Sequence, residues 1–159
     1  MSAFLLWIQH LPVFTGIAES ESVWAYPTVL MLHTVGLGWL VGLNTVVNLR
    51  LLGVAKRVPF GTVEKLFPMM WWGFWLNLAT GIILFCLDAD HKAHQWIFYA
   101  KLGSVVLAMF LLTAERNYIR SDECLETDAA PLKARRYAWA SLSLWWIATL
   151  TGRLMAYVG

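Results

Sequence analysis

Residues 26–53, YPTVLMLHTVGLGWLVGLNTVVNLRLLG, open on an aromatic and a proline, run apolar without a charge, and meet their first cation at Arg50. A helix of about 20 residues rising about 1.5 Å each covers about 30 Å of hydrocarbon, so this stretch is long enough to cross a bilayer. Pro27 suits a first helical turn, where its missing N–H does no harm. Inside the run sits His33, and an ionisable side chain within lipid is by default a candidate functional group.

The rest of the chain repeats the pattern. Further apolar runs at 67–87, 96–118 and 137–158 predict three more spans, separated by a short basic loop, the polar turn DADHKAHQ, and a longer hydrophilic loop at 120–136. Residues 1–18 are apolar but interrupted by Gln9, His10 and Pro12, which suits an amphipathic helix lying at the membrane interface. The expected fold is all-α: a four-helix transmembrane bundle with an interfacial N-terminal helix, residues 1–159 forming one integral membrane domain. Composition agrees, with 59% hydrophobic residues, 14% charged and ten tryptophans, against about 25% charged in ordinary soluble domains. A net charge of +2 without a basic, aromatic-interleaved cluster argues against nucleic acid as a partner.

Arg50, Lys56, Arg57 and Lys65 flank the first loop, and Arg116, Arg120, Lys133, Arg135 and Arg136 flank the third, whereas the opposite side has Lys92 with Lys101 and Arg153 just inside the spans. The positive-inside rule then places both termini outside a bacterial inner membrane, facing the periplasm in a Gram-negative host.

Helical projection aligns His33, Leu40 and Asn44 on one face of the first span, with Gly36 and Val47 beside them and room next to Gly36. Gly38 and Gly42, on the opposite side, predict a close helix contact. The second span carries Gly73, Asn77, Thr80, Gly81 and Asp88, the third Lys101, Ser104 and Ala108, and the fourth Thr149 and Arg153. Counting about 1.5 Å per residue from the outer ends, His33 lies about 10 Å deep, Lys101 about 7 Å and Arg153 about 6 Å. Two cations and an imidazole at similar depth call for an anion, and a ligand bearing carboxylates answers that need.

Haem b has this chemistry: imidazole for the iron, Lys and Arg for two propionates. The candidate cofactor residues are His33 as iron ligand, Lys101 and Arg153 as propionate partners, and Asn77 as an interhelical polar contact. His10 or His94 is a candidate second ligand, and Trp72, Trp75, Trp145 and Trp146 are candidate walls. A lipid-accessible redox site would suit a quinone as electron partner. A cofactor-free subunit of a larger respiratory complex, or a homo-oligomer, is the competing expectation. A third is copper binding, since Asp88, Asp90, His91 and His94 bring imidazole and carboxylate into one outer loop. No CxxC, HExxH or phosphate-binding glycine loop marks a catalytic set.

The pieces YPTVLMLHTVGLGWLVGLNTVVNLRLLG, FYAKLG and SLSLWWIATLTGRLMAY together resemble a domain-of-unknown-function family of small four-helix bacterial membrane proteins, over nearly the whole chain. More loosely, the LH-to-Arg-Leu order and the later KL are similar to the HemJ-type protoporphyrinogen oxidases and to the copper-resistance protein D family. The oxidase resemblance implies haem b and puts its histidine and lysine at His33 and Lys101. The sequence departs after Arg50, where Leu51, Leu52 and Gly53 replace the oxidases' tyrosine- and histidine-rich end.

Overall fold

A computed structural model describes residues 24–120, 131–155 and 157. The expected N-terminal interfacial segment, with His10, lies outside the described residues. Those described are helical, in the order α1 (Ala25–Leu51), α2 (Phe60–Cys86), α3 (Ala89–His94), α4 (Trp96–Arg120) and α5 (Leu132–Leu154). Three of them, α1, α2 and α4, are long and apolar enough to cross a membrane, with mean hydropathies of 1.5, 1.5 and 1.9. The architecture is that of a multi-pass membrane protein.

The remaining long helix, α5, is less apolar because Tyr, Trp, Ser and Thr make up much of it and three cations occupy its first turns. Its most buried side chains, Ala134, Ala138, Ser141, Trp145 and Ala148, recur every three or four residues, so one stripe faces its neighbours. Packing is strongest between α1 and α2 and between α4 and α5; contacts of α1 with α5, and lighter ones of α2 with α4, join the two pairs. The core that results is built from Leu40, Val47, Val63, Phe67, Met70, Ala108, Leu112 and Trp145. Most other large apolar side chains point outward, as a surface solvated by lipid requires.

Helix limits differ from expectation mainly at N-termini. α2 starts seven residues before the expected 67, because Pro59 and Gly61 open the helix and do not break it. Pro59 is extended at φ −63°, ψ 144° and its carbonyl accepts from Thr62 N and Val63 N; both residues are harmless in a first turn. α5 likewise begins straight after Pro131, giving the apolar run a basic entry turn. Between α2 and α4 the polar turn folds into the short helix α3. α1 ends where Gly53 takes φ +81°, donating to Arg50 O at 3.0 Å, a left-handed position that glycine fills without strain.

Helix packing reverses the glycine expectation. A Cβ on Gly36 would lie 3.0 Å from Asn77 N and 3.2 Å from Gly73 O, and one on Gly73 would lie 3.1 Å from Leu40 N. The close crossing is therefore Gly36 against Gly73. At Gly38 and Gly42 a Cβ would meet nothing within 4 Å among the described residues, so there the face expected to be tight is the open one. The periodicity of the first span was visible, but which glycine face met a helix depended on the second span's own glycine.

Candidate functional site

The Gly36–Gly73 crossing brings α1 and α2 backbones together one turn from His33, and the polar groups of the two helices interlock there. Asn77 Nδ2 donates to His33 O at 2.8 Å. In return, His33 Nδ1 lies 3.0 Å from Asn77 O and 3.1 Å from Thr80 Oγ1. A carbonyl oxygen can only accept, so Nδ1 carries a proton and donates. Thr80 gives its own proton to Leu76 O at 2.7 Å, leaving its oxygen to accept as well. In a neutral ring this leaves the lone pair on Nε2. Gly81 makes space for the ring, since a Cβ there would come within 3.1 Å of His33 Cε1.

His33 lines two adjoining cavities at the α3 end of the helix pack. The larger, about 690 Å³, is bounded by Tyr26, Leu30, Gly81, Phe85, Phe98, Lys101 and Gly152, with Asp88, His91 and Lys92 of the α3 region at its rim. The smaller, about 450 Å³, runs between α1 and α5 past Gly38, Val41, Gly42 and Ala148, and Arg153 lies on its edge. His33 and Lys101 belong to both. Lys101 lies along Gly152, where a Cβ would sit 3.4 Å from its Nζ. These volumes are in the range of small-molecule and cofactor pockets, about 300–1,000 Å³.

The sequence constellation is thus brought together in part. His33, Lys101 and Arg153 share the smaller cavity, and Lys101 reaches the larger one too. Asn77 holds His33 from α2 and is not among the lining residues. His94 is exposed and pairs with Asp90 O on its own short helix, outside the cavity lining; His91 is the described outer histidine at the rim. The tryptophan walls are not found. Trp72 is 78% exposed, Trp75 and Trp146 also face outward, and Trp145 is buried in the core. Phe85 and Phe98 take that place, stacked at 5.0 Å with 14° between their planes.

In the α3 region the four candidate metal ligands separate into pairs. His91 Nδ1 is 3.5 Å from Asp88, and His94 Nδ1 is 4.0 Å from Asp90. Among the described residues no group of three or more His, Cys, Asp or Glu converges as a metal cage. Lys92 tucks back, donating to Leu84 O and lying 3.9 Å from Asp88. Burial holds its ammonium below the usual lysine range, and Asp88 opposes that shift. An anion entering the rim would favour the charged lysine.

A second polar layer lies towards the other end; of its members the sequence singles out Asn44 alone, and Asn48, Glu115 and Ser141 come from the structure. Asn44 and Asn48 of α1, Ser141 of α5 and Glu115 of α4 are all buried. Asn48 Nδ2 donates to Asn44 Oδ1 at 2.7 Å, and Ser141 Oγ donates to the same oxygen at 3.3 Å. The signal was present: extending the Lys101–Ser104–Ala108 stripe at helical spacing reaches Leu112 and then Glu115, all but Lys101 buried. Arg50, expected as a charged anchor at the membrane surface, is itself buried. Its Nε donates to Val58 O at 2.7 Å and its guanidinium lies 4.0 Å from the Phe60 ring centre.

Comparison of the chain with family models, curated proteins and solved structures finds no match.

Proposed function

We propose that the protein is a haem b-binding membrane protein that takes part in electron transfer or a related oxidoreduction. The observation that carries this reading is the tethering of His33: Nδ1 donates to a backbone carbonyl of α2, which leaves Nε2 as the ligating nitrogen beside a cavity with cations at its edges. A carbonyl partner on the second ring nitrogen fixes the tautomer and raises the basicity of the ligating one.

The donor set fits the group. His33 would take the iron, and Gly81 leaves the ring space that a side chain would fill. Lys101, with Lys92 at the rim of one cavity and Arg153 at the edge of the other, would pair with the two propionates. Among the described histidines His91, at the cavity rim, is better placed than His94 as a second ligand; His10 lies outside the described residues. When bound, haem supplies a reversible one-electron couple whose potential depends on axial ligation and burial. The chain's own part is to hold the imidazole still, neutralise the propionates and screen the site with Phe85, Phe98 and Leu30. The open Gly38–Gly42 side of the smaller cavity supports a quinone as partner, because an apolar ligand could approach there from lipid.

In this reading α5 is the fourth span, despite its modest hydropathy, and residues 1–18 lie at the interface. Both termini are outside a bacterial inner membrane, because the basic loop and helix ends gather opposite the His33 end. The test is the visible spectrum and haem content of protein purified from haem-replete cells. Colourless protein would refute the reading. If such protein co-purified in a stable complex, an accessory-subunit role would replace it. Copper retained through dialysis and lost in a His91→Ala/His94→Ala variant would favour copper binding.

A further inference from the structure

The polar layer formed by Glu115 plays no part in the His33 site. Glu115 is 1% exposed in the interior of a helix of membrane-spanning length. Ser141 and Asn44 face its carboxyl group, yet neither carboxyl oxygen finds a partner within hydrogen-bond distance. Nearby, Asn44 Nδ2 and Asn48 Oδ1 are also buried and unpaired. Trp145 Nε1, one turn from Ser141, and Arg116 Nε, beside Glu115 in the chain, are buried without a hydrogen-bond partner as well.

Among the described residues no cation pairs with the carboxyl within 4 Å. From α1, Asn44 and Asn48 are neutral, and Arg50 further along is engaged with Val58 O and the Phe60 ring. α5 presents neutral Ser141, while its Lys133, Arg135 and Arg136 are exposed. Where α2 approaches this end, its Glu64 is paired with Arg120 at 3.0 Å; Arg116, the neighbouring residue, projects about 100° away around the helix, and its partly buried guanidinium makes no ion pair with Glu115 within 4 Å.

A carboxylate buried without a counter-charge is strongly disfavoured, and a protonated one can both donate and accept within the layer, to the unpaired Asn48 Oδ1 for example. We propose that Glu115, with Asn44, Asn48 and Ser141, is a proton-binding site within the helix pack. Glu115 holds the proton as a neutral acid at neutral pH. Intramembrane carboxyl groups serve as proton stations because their charge can be removed by protonation.

Infrared spectroscopy of the full-length protein in lipid tests this. A carbonyl stretch of a protonated carboxylic acid, above the amide I band, is expected at neutral pH, with a downshift in D₂O and loss of the band in Glu115→Gln. Glu115→Gln, neutral and nearly isosteric, should keep a Tm close to wild type. Wild-type spectra alone decide the matter if the variant folds poorly, because the band must bleach reversibly at high pH. Absence of the band at neutral pH, or failure to shift in D₂O, would overturn the proposal. So would a sodium-dependent rise in Tm that disappears in Glu115→Gln, since the carboxylate would then hold a metal cation.

Discussion

Adding one methyl group at Gly36 tests the central helix crossing. A Cβ there would press on Asn77 N at 3.0 Å, Gly73 O at 3.2 Å and Asn77 Cα at 3.3 Å. All three are backbone atoms, so no side chain can rotate away, and α1 and α2 must separate by a few tenths of an ångström. Overpacking of this kind costs about 1–3 kcal/mol, while Ala in place of Gly returns about 1 kcal/mol of helix propensity. Gly36→Ala should therefore lose about 0–2 kcal/mol net, about 1–3 kcal/mol below Gly38→Ala and Gly42→Ala, which face open space among the described residues and should gain up to about 1 kcal/mol. The assay is reversible unfolding of the three variants in the same detergent, followed by helical circular dichroism. Gly36→Ala should also disturb His33, because the displaced atoms belong to Asn77, which holds the histidine. If Gly38→Ala proved the damaging substitution and Gly36→Ala the neutral one, the crossing would be on the other face and the site as described would be wrong.

Other consequences are checked more simply. Asn77→Ala removes the bond to His33 O and should cost about 0.6–1.7 kcal/mol, the range for interhelical polar contacts in membranes, with a change in any His33-dependent spectrum. Glu64→Gln breaks an ion pair whose two side chains are about half exposed; unfolding should register less than about 1 kcal/mol. Trp72→Ala and Trp75→Ala, both outward-facing, should leave haem content unchanged; a loss would return these residues to the cavity wall. Single cysteines at positions 56 and 133 should label from the face opposite to one at position 91, and labelling of all three from one side would refute the proposed topology.

What the sequence made legible was the spacing of apolar runs and the depth of polar residues along each helix. The first span, expected at about 26–52, matches the limits of α1 to within one residue at each end, because Pro27 and Gly53 bracket an apolar run whose first cation is Arg50. The shared level of His33, Lys101 and Arg153 was legible for the same reason: rise per residue is fixed. Rotation between helices was not. Gly36 and Gly38 sit on different faces of one helix, and only Gly73 on the partner decides which face is closed. The orientation of tryptophan is equally a matter of partners, since Trp145 and Trp146 are neighbours in sequence, one buried and one exposed. Glu115 was overlooked because it stands beside Arg116 near the end of an apolar run, where a charged residue reads as a membrane-surface group. Its burial comes from Asn44 and Ser141, which lie far away in the chain.

The central claim is that His33 is a ligand set in place by α2, and the reduced-minus-oxidised difference spectrum of the purified protein tests it most directly. The account predicts a b-type haem signal in wild type, abolished in His33→Ala and retained in His94→Ala, which alters an exposed side chain outside the cavity lining. A haem-replete preparation with no such signal, or one whose signal survives intact in His33→Ala, would contradict it.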